Sequence, residues 1–157
     1  MDINNILLDL EVIKQINENE KLCVCLTPGK TSLMIESNIY LSPITRYYNN
    51  YSRNSTLEYL NELNIKISNA TQVIIEGNHK ELANTLKDSI KSAISGIENL
   101  KKTYTGDSII TSKLVLIINH LNTISISLNN FLNNEVDSQF DRKSKKSSNT
   151  RDNALAN

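Results

Sequence analysis

The densest clustering of chemically capable side chains lies between Tyr40 and Tyr59, a span that holds five of the six tyrosines. Within it, Leu41-Ser42-Pro43-Ile44-Thr45-Arg46-Tyr47-Tyr48-Asn49-Asn50-Tyr51-Ser52-Arg53 sets three aromatic rings among two guanidinium groups. Arginine pairs with phosphate or carboxylate through a planar fork, and tyrosine offers a flat ring with a polar tip. Two uses follow. Arg46 and Arg53 could neutralise nucleic-acid phosphates while Tyr47, Tyr48 or Tyr51 stacks on a base. Alternatively the rings seal a junction inside the fold while the arginines pair with nearby carboxylates. The formal net charge is +0 and no basic stripe continues the patch, which favours the second use.

Other candidate chemistry is thinner. Gly29-Lys30-Thr31 resembles the end of a phosphate-binding loop, but the required earlier glycine is Val24 and the following residues alternate like a strand. The segment reads as a hairpin turn. Cys23-Val24-Cys25 places two thiols on one side of a strand, yet tetrahedral zinc needs two more ligands. Only His79 and His120 remain for that purpose, each expected on a different helix, so no metal or other cofactor is expected. The carboxylates Glu58, Glu62, Glu76, Glu81 and Asp88 have the spacing of solvated helix faces and caps. No nucleophile has an identifiable base beside it, so the chain is expected not to be an enzyme.

These residues must be positioned by elements of two periods. Ile3, Ile6, Leu7, Leu10, Ile13 and Ile16 form one helical stripe, with Asp2 suited to cap it. Lys21 to Leu26 and Ser32 to Ser37 alternate around Thr27-Pro28-Gly29-Lys30, which predicts a β-hairpin. Ser42-Pro43 opens a short helix through the tyrosines. Ser55-Thr56-Leu57-Glu58 has the form of a capping box and predicts a new, long helix with Leu60, Leu63, Ile67, Ala70 and Ile74 inward. Gly77 ends it, and Asn78 with Glu81 predicts the next start, with a stripe of Ala83, Leu86, Ile90, Ala93, Ile97 and Leu100. Gly106 and Asp107 mark the last boundary. There the stripe is Ile110, Leu114, Ile117, Leu121, Ile124, Leu128 and Phe131.

The expected fold is therefore α+β and mostly α: an N-terminal helix and β-hairpin (1–41), a Tyr/Arg joint (42–54) and a three-helix antiparallel bundle (55–134). Together these make one domain, 1–134. From residue 135 the apolar period stops, and 135–157, with Arg142, Lys143, Lys145 and Lys146, has the composition of a disordered polar tail.

Composition narrows the setting. The 157 residues contain 39% hydrophobic and 5% aromatic side chains, enough for one core but hardly two. Asn, Ile, Lys and Ser are heavily used, as an AT-rich genome would dictate, so the sequons at Asn50, Asn54 and Asn69 are expected to be incidental. The N-terminus lacks a basic region and cleavage site, no run holds ~20 unbroken apolar residues, and two cysteines make no disulfide framework. A soluble, intracellular protein without a membrane partner is the expectation.

Ser42-Pro43-Ile44-Thr45-Arg46-Tyr47-Tyr48, Ser52-Arg53, Thr56-Leu57-Glu58 and Gly96-Ile97-Glu98-Asn99-Leu100-Lys101-Lys102-Thr103-Tyr104 carry one resemblance. Over about Lys21 to Phe131 the chain resembles uncharacterised small proteins of giant, Mimivirus-like DNA viruses, with Tyr47-Tyr48 where tryptophans are expected. The resemblance implies a viral origin, in host cytoplasm or virion, and no activity. The leading functional expectation is a non-enzymatic accessory protein that binds a protein partner or itself. The alternative is a nucleic-acid-binding accessory protein using the Tyr/Arg segment and the basic tail.

Overall fold

A computed structural model describes the backbone of residues 3–28, 30–37 and 43–144, and their side chains except at 26, 27, 30, 37, 43–52 and 135–144. Four helices and one hairpin follow in the order α1 (Ile3–Lys14), β1 (Glu20–Thr27), β2 (Lys30–Ser37), α2 (Pro43–Glu76), α3 (Lys80–Thr103) and α4 (Ser108–Ser144). This is the expected helix, hairpin and three further helices.

The apolar stripes explain the assembly. Every residue expected inward on α3, from Ala83 to Leu100, is buried, as are Leu60, Leu63, Ile67, Ala70 and Ile74 of α2. On α4 the stripe from Ile110 to Leu128 is buried and Phe131 is partly covered. α3 is the central column, with α1 along one side and α4 along another, while α2 leans chiefly on α4 and β1. Strands β1 and β2 pair antiparallel with Thr27 opposite Lys30 and Glu20 opposite Ser37. Leu22, Val24 and Leu33 face the helices and are buried. The Thr56 hydroxyl donates to the Leu22 carbonyl at 3.1 Å, fixing the hairpin to α2.

α1 lies so close to α3 that a side chain at Gly96 would collide with it. A Cβ built on Gly96 would sit 1.8 Å from the Ile13 carbonyl oxygen and 2.7 Å from its carbon. One and two turns further along α3, Asn99 Nδ2 donates to the Ile16 carbonyl at 3.0 Å, and Thr103 Oγ1 to that of Glu18 at 3.2 Å. Gly96, Asn99 and Thr103 thus form one rail that seats the end of α1 and satisfies carbonyls of the chain leaving it.

Three boundaries differ from those expected. No helix begins at Ser55: α2 is continuous from Pro43 to Glu76, so residues 43–54 are its first turns and not a joint between two elements. The Ser-x-x-Glu pattern is a local signal, no glycine or proline interrupts the run, and Thr56 spends its hydroxyl on β1. Nor does Asn78 cap α3. It adopts φ 58°, and its N–H and that of His79 bond back to Ile75 and Ile74. That is a Schellman closure of α2 with asparagine in the left-handed position, one residue beyond the glycine expected to stop the helix. α3 starts after His79, which makes no side-chain cap. Finally, α4 runs through residue 135 to Ser144, so the expected tail boundary falls inside a helix. Asp107 does cap α4 as expected, accepting from Ile110 N–H at 3.2 Å. The proposed caps Asp2 and Ser42 lie outside the described residues.

Candidate functional site

Of the residues expected to carry function, Arg53 is the one whose side chain is described. It projects from α2 toward the α3–α4 turn, where its Nη1 lies 3.4 Å from Asp107 Oδ2. Its guanidinium carbon is 5.5 Å from the centre of the Tyr104 ring, and Lys21 Nζ of β1 is 5.7 Å from the same centre. Asp107 therefore serves two purposes, one oxygen capping α4 and the other holding Arg53. Tyr104 extends the α3 stripe one turn past Leu100 and is buried. Burial holds its phenol above the usual tyrosine range, opposed in part by the Arg53 cation. Burial lowers the Lys21 ammonium, and Arg53 lowers it further while Glu36 works the other way.

This cluster braces α2, the hairpin and the α3–α4 turn. Its phenol is protonated at neutral pH and its guanidinium is engaged by a carboxylate and a ring. The adjoining void, between Leu22, Thr56, Leu100, Tyr104 and Leu114, measures about 10 Å³, the space of one water at most. The α3 stripe expected from the sequence ends at Leu100; the signal for Tyr104 was its place four residues further on the same stripe. Lys21, brought in from β1, had no such signal.

Arg46, Tyr47, Tyr48 and Tyr51 lie on the first turns of α2, and Arg142 and Lys143 near the end of α4. The side chains of all six lie outside those described, as does Lys145 with Lys146 in full. Tyr59, from the same aromatic cluster, points to α1, where its hydroxyl donates to Asp9 Oδ2 at 2.8 Å. Burial raises both groups. For Asp9 the Tyr59 hydrogen bond and Lys66 pull back, and for Tyr59 the Asp9 carboxylate adds to the rise. His120 is exposed, and His79 lies against Gly77. Among the described residues no three of His, Cys, Asp or Glu stand close enough to hold a metal ion.

Among the described residues, a second unusual surface belongs to α4. From Ser108 to Asn134 its only ionisable side chains are Lys113 and His120. Ile109 and Leu116, seven residues apart on one line, are each 67% exposed, and Ile126, on the flank it shares with Val115, is 61% exposed. Between α2 and α4 runs a groove of about 500 Å³ lined by Asn54, Leu57, Glu58, Asn61, Lys113 and Leu116. The sequence expectation about membranes counted unbroken apolar runs. Averaged instead, the most apolar 18-residue window of this 27-residue stretch reaches a mean hydropathy of 1.4, so the stretch is long and apolar enough to cross a membrane, and a third of that window is buried in the bundle. Core helices of water-soluble bundles have the same length and composition.

No family model, curated protein or solved structure matches the chain.

Proposed function

We propose that this protein is a non-enzymatic interaction protein that binds a protein partner, or a second copy of itself, through the outward face of α4 and the adjoining groove on α2. The observation that carries this reading is the exposure of Ile109, Leu116 and Ile126 on a stretch of α4, Ser108 to Asn134, whose only ionisable side chains are Lys113 and His120. Apolar groups left in water on one side of a helix gain roughly 25 cal/mol per Å² when covered, and with Lys113 and, across the groove, Glu58 as the charges beside them, a partner has few ions to desolvate. Ser112, Asn119, Thr123 and Asn130 lie among them on the same side. Such a mixed face suits a protein surface, which can answer amides and hydroxyls, better than hydrocarbon, which cannot. A virion or infection-associated setting is part of the proposal only through the sequence resemblance. The nucleic-acid alternative gains nothing from Arg53, which is already engaged with Asp107 and Tyr104.

The test compares the parent chain with an Ile109→Glu/Leu116→Glu variant and a Lys91→Glu control on α3. Light scattering across concentration reads self-association, and quantitative mass spectrometry of material bound in the native source reads partners. Exposed substitutions should leave the thermal transition nearly unchanged. Loss of association in the double variant alone is the expected result. Equal association in all three chains would refute the reading, and nuclease-sensitive association in all three would favour the alternative.

A further inference from the structure

The hairpin has an outward face as well as the one it turns to the helices. Strand alternation puts Lys21, Cys23 and Cys25 on that face of β1, and the register sets Met34 opposite Cys23 and Ser32 opposite Cys25. Both cysteines are free and half-buried, and Met34 is 46% exposed. Cys23 Sγ already lies 3.9 Å from the Met34 carbonyl oxygen, so strand and partner are close at this point.

The register thus places three sulfur-bearing residues on one small patch of the strand face. Residues directly opposite in an antiparallel pair have Cβ atoms about 4.5–5.5 Å apart, and the diagonal from Met34 to Cys25 is within reach of a long unbranched side chain. Two residues along one strand span about 6.8 Å, the far limit for a disulfide. Sulfurs bridged by a metal ion need not meet, because two bonds of ~2.3 Å separate them by up to about 4.6 Å. The spacing therefore suits a shared ion better than an S–S bond.

The geometry points to a thiophilic metal site on the outer face of the hairpin, in which the Cys23 and Cys25 thiolates and the Met34 thioether hold one cuprous ion. Zinc would need a fourth donor, whereas soft sulfur ligands in low number select Cu(I). Binding releases both thiol protons, giving Cu⁺ with two thiolates and one thioether, a complex of net charge −1. Lys21, two residues from Cys23 on the same strand face, and Arg53, which stands with it over the Tyr104 ring, are the positive charges that offset it. Glu36, opposite Lys21, supplies a carboxylate field that attracts the incoming cation.

The experiment titrates the full chain with Cu(I) under anaerobic, reducing conditions against a coloured chelator. One ion per chain is expected, with affinity rising from about pH 6 to about pH 8 as proton release becomes easier. Cys23→Ser and Cys25→Ser should each abolish competition with the chelator. Met34→Leu should weaken binding by roughly 10–100-fold, the scale on which altered metal surroundings act. Circular dichroism confirms that each variant is folded. A synthetic Leu22–Leu26 peptide that binds as tightly as the folded chain would overturn the proposal, because any Cys-x-Cys segment would then do as well. So would a Met34→Leu chain with unchanged affinity.

Discussion

Replacing Gly96 by alanine adds one methyl group where the structure leaves no room for it. In an exposed helix the change would help, since alanine is about 0.8–1.0 kcal/mol better than glycine in a helix interior. Here the added carbon would stand 1.8 Å from the Ile13 carbonyl oxygen, which is backbone and cannot swing aside. Restoring van der Waals contact, near 3.4 Å, requires α1 to retreat by more than an ångström. That retreat uncovers Ile13 and Leu10, both almost fully buried, and stretches the Asn99–Ile16 and Thr103–Glu18 hydrogen bonds. Overpacking typically costs about 1–3 kcal/mol. The hydrogen bonds contribute about 1 kcal/mol each, and the helix-propensity gain offsets one of them. A net loss of roughly 2–4 kcal/mol is expected. Urea unfolding followed by circular dichroism measures it, as a lower midpoint at unchanged slope. Gly106→Ala is the control, because nothing lies within 4 Å of a Cβ there. It should be neutral or slightly stabilising. A Gly96→Ala chain within about 0.5 kcal/mol of the parent would refute the close packing of α1 on α3.

Two further outcomes follow from the polar contacts. Asp107→Asn keeps an α4 cap while removing the charge that faces Arg53, and should cost about 1 kcal/mol. Asp107→Ala removes both and should cost about 2–3 kcal/mol, with urea midpoints separating the cap from the ion pair. Asp9 has a folded-state pKa raised above 3.8, so its protonated form is favoured by folding. Its contribution is fully present below 3.8 and is lost as pH rises through the raised value. The stability difference between parent and Asp9→Asn should therefore fall as pH increases above that point. A difference that rises with pH would show that the carboxylate is stabilised, not strained, beside Tyr59.

Periodicity carried the fold because the core is built from long, regular stripes. Ala83 to Leu100 and Ile110 to Leu128 alternate by three and four, and nothing but a buried seam accounts for that. The hairpin was legible from Pro28 and two alternating flanks. Boundaries were less legible, since a capping signature is made of polar residues that any helix can also carry on its surface. Ser55 and Glu58 have the spacing of a start, but tertiary contact between Thr56 and Leu22 decides that α2 passes through. The Gly96 contact had no local signal, because its cause is the backbone of Ile13, a residue 83 positions away. Lys21 and Arg53 beside Tyr104 are a product of three elements meeting, which no single window contains.

The composition of the chain sharpens the argument about α4. A genome rich in A and T would scatter Asn, Ser and Ile over any surface, and an uncharged helix face could arise from that bias alone. α3 is the internal comparison. It grew under the same bias, is shorter, and buries a seam of the same kind, yet it carries Glu81, Lys87, Asp88, Lys91, Glu98 and Lys101 around its remaining surface. Folding requires only the seam, since outward charges on a bundle helix contribute a few tenths of a kcal/mol per pair. A compositional bias of the whole chain would act on α3 and on Ser108–Asn134 of α4 alike. What differs is the outward surface of α4, where Ile109, Leu116 and Ile126 stand in water. A stretch from Ser108 to Asn134 whose only ionisable side chains are Lys113 and His120, set with exposed branched side chains, is what supports the proposal of a partner there.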